Sequence, residues 1–155
     1  MNEYKEETTS IKGNWPLIHY RWKSETVKLM ANFLEAFKEK KVLGLKCPCC
    51  GLVYTPPKPF CRCLCRPEEW VEVSDEGVVT TFTFSGAWSF EGMLEGEGES
   101  RIIVGVKLDG ADTMFLCMLE GSDPEEVNVG MRVRIRWPEA PEGKIGDMMI
   151  VERAT

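Results

Sequence analysis

Six of the seven cysteines fall in two short clusters, CPCCG from residue 47 and CRCLC from residue 61. A reducing compartment disfavours disulfides, and clustered thiols in such a compartment usually bind a metal. Cys47 and Cys50 are separated by two residues and followed by Gly51, which suits the tight turn of a zinc knuckle. The first cluster therefore predicts two thiolate ligands of one Zn²⁺ ion.

The second cluster is irregular, because Cys61, Cys63 and Cys65 alternate along the chain. A chelate from Cys61 and Cys65 encloses three residues and one from Cys61 and Cys63 encloses a single residue, so the larger ring is preferred. The expected ligand set is Cys47, Cys50, Cys61 and Cys65. Four thiolates could also hold iron, or remain as free buried thiols. A closed four-thiolate site has no position left for water, so we expect the metal to be structural.

A helix is expected to begin after Ser24, which is an N-cap residue type, and to be stopped by Gly44. Apolar residues recur at helical spacing between them. This amphipathic face either packs against its own chain or docks on another subunit. Before the helix, Trp15, Tyr20 and Trp22 lie within eight residues. Together with Phe33 they are the expected partner contacts.

After the cysteine clusters, the hydrophobic pattern changes to a period of two. Five or six short strands in this part of the chain, with no long helix between them, predict a small antiparallel barrel. An acidic, glycine-rich loop is expected at 91–100, and a helical turn is expected at Pro124 after the capping residue Asp123. The predicted strands are Trp70–Val73, Val78–Phe84, Arg101–Leu108, Met114–Leu119, Arg132–Trp137 and Lys144–Val151.

No group of residues predicts catalysis. Cys117 lies in an apolar run and is expected to be a buried strand residue, and the single histidine, His19, lies between apolar and aromatic neighbours. The chain has no glycine-rich phosphate loop, so we do not expect the isolated polypeptide to be an enzyme. It also has no long apolar run and no secretory signal, which leaves a cytoplasmic location without a membrane as the expectation.

Charge is distributed unevenly along the chain. Residues 1–46 hold nine Lys and Arg against six acids, whereas residues 70–155 hold seven against seventeen. An acidic barrel repels phosphate backbones, which disfavours nucleic acid as a partner. Arg132, Arg134 and Arg136 alternate on one strand and favour the competing hypothesis of a single-stranded nucleic-acid-binding module. A third hypothesis is an electron carrier with iron in the thiolate site.

The motifs CPCCGLVYTPPKPFC and PEEVNVGMRVRIRW, in this order after an aromatic segment and a helix, resemble the zinc-ribbon/OB-fold family of acyl-CoA-associated proteins found beside thiolases. The resemblance covers roughly residues 15–152. It implies a mainly β fold in which an N-terminal tail and docking helix (1–44) precede a rubredoxin-like zinc ribbon (45–69) and an OB-fold barrel (70–155). It also implies a non-catalytic subunit that binds a thiolase-like catalytic subunit, with a coenzyme A thioester at or near the shared interface.

Overall fold

The structure is a computed structural model that describes residues 25–85 and 101–154. Its fold is mainly β with one N-terminal helix, as predicted. The elements are α1 (Glu25–Phe37), β1 (Val42–Lys46), β2 (Val53–Tyr54), β3 (Glu69–Val73), β4 (Glu76–Ser85), β5 (Arg101–Leu108), β6 (Phe115–Leu119), a 3-10 turn (Pro124–Glu126), β7 (Arg132–Ile135), a second 3-10 turn (Ile145–Met148) and β8 (Ile150–Arg153). The expected tail, Trp15, His19, Tyr20, Trp22, Ser24 and the acidic loop at 91–100 lie outside the described residues.

The cysteine-rich stretch belongs to a three-stranded antiparallel sheet in the order β2-β1-β3. The predicted strand Trp70–Val73 is part of β3 and pairs with β1 from Val42↔Val73 to Lys46↔Glu69, so it lies in this sheet rather than in the barrel. Gly44 lies inside β1, where a Cβ atom would collide with the Val53 side chain. The sheet therefore extends on both sides of the cysteine clusters and requires a glycine at its centre.

A closed barrel follows, with five strands in the order β4-β5-β6-β8-β7 and β7 paired back to β4. Its interior is apolar, and Val104, Val133 and Val151 have no solvent exposure. One pair departs from the antiparallel prediction, because β8 runs parallel to β6. The reason is that β8 is antiparallel to β7 and enters the gap between β7 and β6, where it has the direction of β6.

Two further predictions are corrected by local backbone interactions. The helix ends at Phe37 rather than near Gly44, and Lys40 then takes a left-handed conformation with φ of 57°. The predicted strand Lys144–Val151 begins instead as a 3-10 turn, because the buried Asp147 carboxylate accepts hydrogen bonds from the backbone N–H groups of Gly143 and Lys144. The 3-10 turn at Pro124, capped by Asp123, is confirmed.

Helix α1 packs against its own chain. Phe33 and Phe37 are both wholly buried, and their rings meet edge to face at a centroid distance of 4.8 Å. Phe37 also contacts Trp137 at 5.6 Å, which joins the helix to the barrel. Phe33 is therefore a core residue, and the expectation that it contacts a partner is corrected. The hydrophobic effect decides this, since a buried phenyl ring stabilises the fold only while water is excluded from it.

The sheet and the barrel are joined by reciprocal hydrogen bonds. Val53 N–H donates to the Asp112 carboxylate at 2.9 Å, and Asp112 N–H donates to the Val53 carbonyl at 2.8 Å. Thr55 N–H donates to the Thr113 hydroxyl, which in turn donates to the Thr55 carbonyl, both at 2.9 Å. Strand β2 is thereby tied to the loop after β5, and the cysteine clusters are held in a defined position.

No helix among the described residues has the length and apolarity to span a membrane.

Candidate metal centre

Four cysteine sulfurs, those of Cys47, Cys50, Cys61 and Cys63, all lie within 4.8 Å of one another. Cys50 lies 3.3 Å from Cys61 and 3.7 Å from Cys63, and Cys47 lies 3.5 Å from Cys63. Four sulfurs about 2.3 Å from a tetrahedral zinc ion are about 3.8 Å apart. The four thiols therefore have a spacing and chemistry that fit one Zn²⁺ ion.

The two cysteine clusters form similar turns, and this similarity explains which sulfurs converge. In the first, Cys47 N–H binds the Leu52 carbonyl and the turn contains the left-handed Gly51, with φ of 74°. In the second, Cys61 N–H binds the Cys65 carbonyl and the turn contains the left-handed Leu64. In each turn, the converging sulfurs belong to the first residue and to the residue directly before the left-handed one.

Cys65 was expected as the fourth ligand, but Cys63 occupies that place in the structure. The second turn is one residue shorter than the first, so the residue before its left-handed position is Cys63, whereas Cys65 corresponds to Leu52. Cys65 was preferred because of the size of its chelate ring. Ring size depends only on the number of enclosed residues and carries no information about the conformation of the turn. The left-handed conformation of Leu64 would have identified Cys63, but a leucine gives no sequence signal for it.

Cys65 is joined to Cys49 by a disulfide bond. A reducing compartment disfavours such a bond, so this pairing departs from the sequence-based expectation. Cys49 was expected to lie outside the ligand set, and its sulfur is not among the four convergent ones. The disulfide and the four-sulfur group together account for all six clustered cysteines.

Tyr54, which the sequence analysis did not single out, contacts the cluster. Its hydroxyl accepts a hydrogen bond from the backbone N–H of Arg62 at 3.3 Å, so its proton is free to point at the Cys61 sulfur, 3.1 Å away. Burial opposes ionisation of Cys61, but hydrogen bonds from the Cys63 backbone, Tyr54 and neighbouring thiols outweigh it and lower the pKa of Cys61 to about 6. A donor to a metal-ligating sulfur orients it, as outer-shell partners do in metal sites.

The cluster predicts different outcomes for two neighbouring cysteines. We expect Cys63→Ser to lose the metal, because it removes one of four convergent thiolates, and Cys65→Ser to keep about one zinc per chain. The measurement is zinc content of the purified variants by mass spectrometry. Loss of zinc in Cys65→Ser with full retention in Cys63→Ser would restore the ligand set expected from the sequence.

Comparisons with known proteins support the architecture. Residues 70–138 match the family model described as "ChsH2, C-terminal OB-fold domain". This stretch, which runs from β3 through β7, is similar to that OB-fold domain. A solved chain titled "Ltp2-ChsH2(DUF35) aldolase" is 22% identical, covers 81% of this chain and 94% of its own length, and gives a TM-score of 0.60. A protein of unknown function from the DUF35 family of Sulfolobus solfataricus is 24% identical over 79% and 83% of the two chains, also with a TM-score of 0.60. A comparison with curated proteins gave no match.

The described residues of the barrel include one cysteine, Cys117, and no histidine. Cys117 is buried in the barrel core, and its thiol donates only a long hydrogen bond, 3.8 Å, to the Val104 carbonyl. Burial raises the pKa of this thiol to about 12, so it remains protonated at neutral pH. This agrees with the expectation that Cys117 is a structural residue and not a nucleophile.

A cleft of about 520 Å³ lies at the end of the barrel where β5 begins and β6 ends. It is lined by Arg101, Ile102, Met118, Leu119, Glu120, Ser122 and Pro124. Glu120 is paired with Arg136, and the buried hydroxyl of Ser122 has no hydrogen-bond partner within the described part of the chain. None of these described lining residues carries a thiol or an imidazole.

The alternating arginines in and directly after β7, the main support for a nucleic-acid interface, are paired with acids of the same chain. Arg132 contacts Asp109 at 2.7 Å and Glu76 at 3.1 Å, and Arg134 contacts Glu152 at 2.9 Å. With Arg136 bound to Glu120, all three guanidinium groups have a carboxylate partner. Phosphate binding would have to compete with these pairs, which weakens the nucleic-acid hypothesis.

Proposed function

We propose that this chain is a non-catalytic, zinc-binding subunit of a thiolase-type complex that acts on acyl-CoA. The observation that carries the proposal is the order of parts, a thiol-rich ribbon followed by a ChsH2-type barrel. A solved chain whose title pairs ChsH2 with Ltp2 in an aldolase has the same fold over most of its length. Aldolases and thiolases both make or break carbon–carbon bonds, so a catalytic partner of this general kind fits the chain.

The geometry of the thiol cluster supports a structural role for the metal. Cys47, Cys50, Cys61 and Cys63 would supply four ligands to Zn²⁺ and leave no position for a reacting water. When bound, the ion would act by joining the two turns rather than by activating a substrate. The partner would therefore supply the nucleophile and the base, and this chain would support assembly and the coenzyme A site.

Assembly with the catalytic subunit requires contacts outside the core. Phe33 is excluded because it is wholly buried. We assign this role to Trp15, Tyr20 and Trp22, since large aromatic side chains contribute strongly to interfaces. The same N-terminal region carries the excess of cations, which favours an acidic partner surface and the phosphates of a coenzyme A thioester near the interface. A cytoplasmic location is part of this proposal.

The test begins with co-purification of the tagged chain from its native organism and identification of a thiolase-type subunit by mass spectrometry. We expect the isolated chain neither to cleave nor to condense an acyl-CoA and the reconstituted pair to be active. Among the thioesters tested, benzoylsuccinyl-CoA, the thiolase substrate of anaerobic toluene breakdown, is the first choice. Trp15→Ala with Trp22→Ala should weaken assembly by about 2 kcal/mol or more per residue. Zinc content should be unchanged.

Size-exclusion chromatography with thiolysis assays provides the measurement. Full thiolase activity without this chain would contradict the proposal. So would tight, salt-sensitive binding of single-stranded nucleic acid, which the competing OB-fold hypothesis requires. Metal analysis that found iron instead of zinc would favour the electron carrier.

A further inference from the structure

The segment 58–64, in the connection between β2 and β3, combines exposed apolar side chains with positive charge; we call it the ribbon tip. Leu64 is 86% exposed and Phe60 is 54% exposed. Both side chains flank the second cysteine turn, because Phe60 precedes Cys61 and the Leu64 N–H binds the Cys61 carbonyl at 2.9 Å. Two large apolar groups are thus presented to solvent in a ribbon that is tied to the barrel.

The backbone conformation of Leu64 indicates that the fold does not require a leucine side chain at this position. It is left-handed, with φ of 67°, a conformation that leucine rarely adopts. The corresponding residue of the first turn is Gly51, with φ of 74°, and glycine adopts this conformation without steric cost. A turn of the same type therefore folds with glycine in this chain. An exposed leucine in a strained position contributes nothing evident to the fold, which indicates a role for the side chain in binding.

The charge of this region restricts its binding partner. Residues 47–67 contain three cations, Lys58, Arg62 and Arg66, and no acid. Lys58 and Arg62 are exposed and belong to the same short segment as Phe60 and Leu64. A surface that combines an apolar projection with cations is complementary to an apolar pocket with an acidic rim.

We propose that the ribbon tip is a docking surface that inserts Leu64 into an apolar pocket with an acidic rim on the catalytic subunit. The inference rests on the proposed function, because it requires that subunit as the partner. A protein is favoured over nucleic acid because the most exposed side chain is aliphatic and cannot stack on bases. The Phe60 ring already has the Arg66 guanidinium over it at 5.2 Å, which leaves less of the ring free for a base.

Leu64→Gly separates docking from folding. Glycine suits the left-handed backbone, so we expect the variant to keep its zinc and to melt at the same or a higher temperature. Its dissociation constant for the purified catalytic subunit, measured by isothermal titration calorimetry with the full-length chain, should rise at least about tenfold, as for other central interface residues. Leu64→Asp should raise it further, because the new carboxylate would face the acidic rim.

Val129→Asp is the matched control, since Val129 is another exposed aliphatic residue, 63% exposed, but lies in the loop before β7. It should bind the catalytic subunit like the unmodified chain. Unchanged affinity in both Leu64 variants would overturn the docking surface while leaving the proposed function in place. Absence of any complex with the unmodified chain would overturn both. Binding of single-stranded DNA that Leu64→Asp abolishes would assign the ribbon tip to nucleic acid instead.

Discussion

Replacing Cys47 with serine will release the metal and unfold the ribbon. Cys47 is wholly buried, and its sulfur is one of the four that converge. Apart from the sheet residues that pack into the barrel core, such as Val42 and Val73, the ribbon has only a small core of its own. This core is formed by Cys47, Tyr54 and Cys61, with Leu52 and Cys65 packed against it. A core of this size depends on cross-links, and four metal–thiolate bonds would join the two turns more extensively than the single Cys49–Cys65 disulfide does.

The expected effect is large because structural zinc contributes about 10–16 kcal/mol of apparent binding free energy in small zinc modules. That range matches or exceeds the whole unfolding free energy of an ordinary domain, about 5–15 kcal/mol. Zinc content and limited trypsin digestion measure the result. Arg62 is the informative cleavage site, because Lys58 and Arg66 are each followed by proline. Cys50→Ser should behave in the same way.

Cys49→Ser is the control for the Cys47 variant, since Cys49 lies in the same turn but outside the four-sulfur group. It should retain about one zinc per chain and resist cleavage after Arg62. Full zinc content and an unchanged melting curve in Cys47→Ser would show that the four thiols do not form the metal centre.

Phe33→Ala should destabilise the whole described fold by about 3–5 kcal/mol, the usual cost of removing a buried phenyl ring. Phe33 has no solvent exposure and packs edge to face on Phe37, which contacts Trp137. For a chain of this length, such a loss should lower the melting temperature by roughly 10 °C. Urea unfolding followed by tryptophan fluorescence, together with a thermal melt, measures the change.

Asn32→Ala provides the control on the same helix, because Asn32 is exposed. Its effect on the unfolding free energy should be within about 0.5 kcal/mol. The folded fraction of Phe33→Ala should still bind the catalytic subunit with unchanged affinity. Unchanged stability with lost binding would instead return Phe33 to the partner-docking face that the sequence suggested.

Features that depend only on residues close together in the chain could be predicted from the sequence. The first cysteine turn follows from a pair of thiols two residues apart and a glycine in the left-handed position. Most of the barrel strands follow from apolar alternation interrupted by turn residues. The 3-10 turn at Pro124 follows from its cap, Asp123. In each case the interaction that forms the structure lies within a few residues of the pattern that predicts it.

Features that depend on distant residues were decided by the tertiary structure. The parallel pairing of β8 with β6 depends on which gap in the barrel the last strand fills. Gly44 is a strand residue because Val53 packs on it, and Phe33 is buried because Phe37 and the barrel cover it.

The choice of Cys63 over Cys65 also required the tertiary structure, because a left-handed leucine shortens the second turn and directs one sulfur to the cluster and the other to Cys49. The alternating arginines follow the same rule. Their shared face follows from the period of a strand, but their acidic partners come from other strands and from the loops after β5 and β6. Local sequence specifies local backbone conformation, whereas burial and ion pairing depend on residues that only folding brings together.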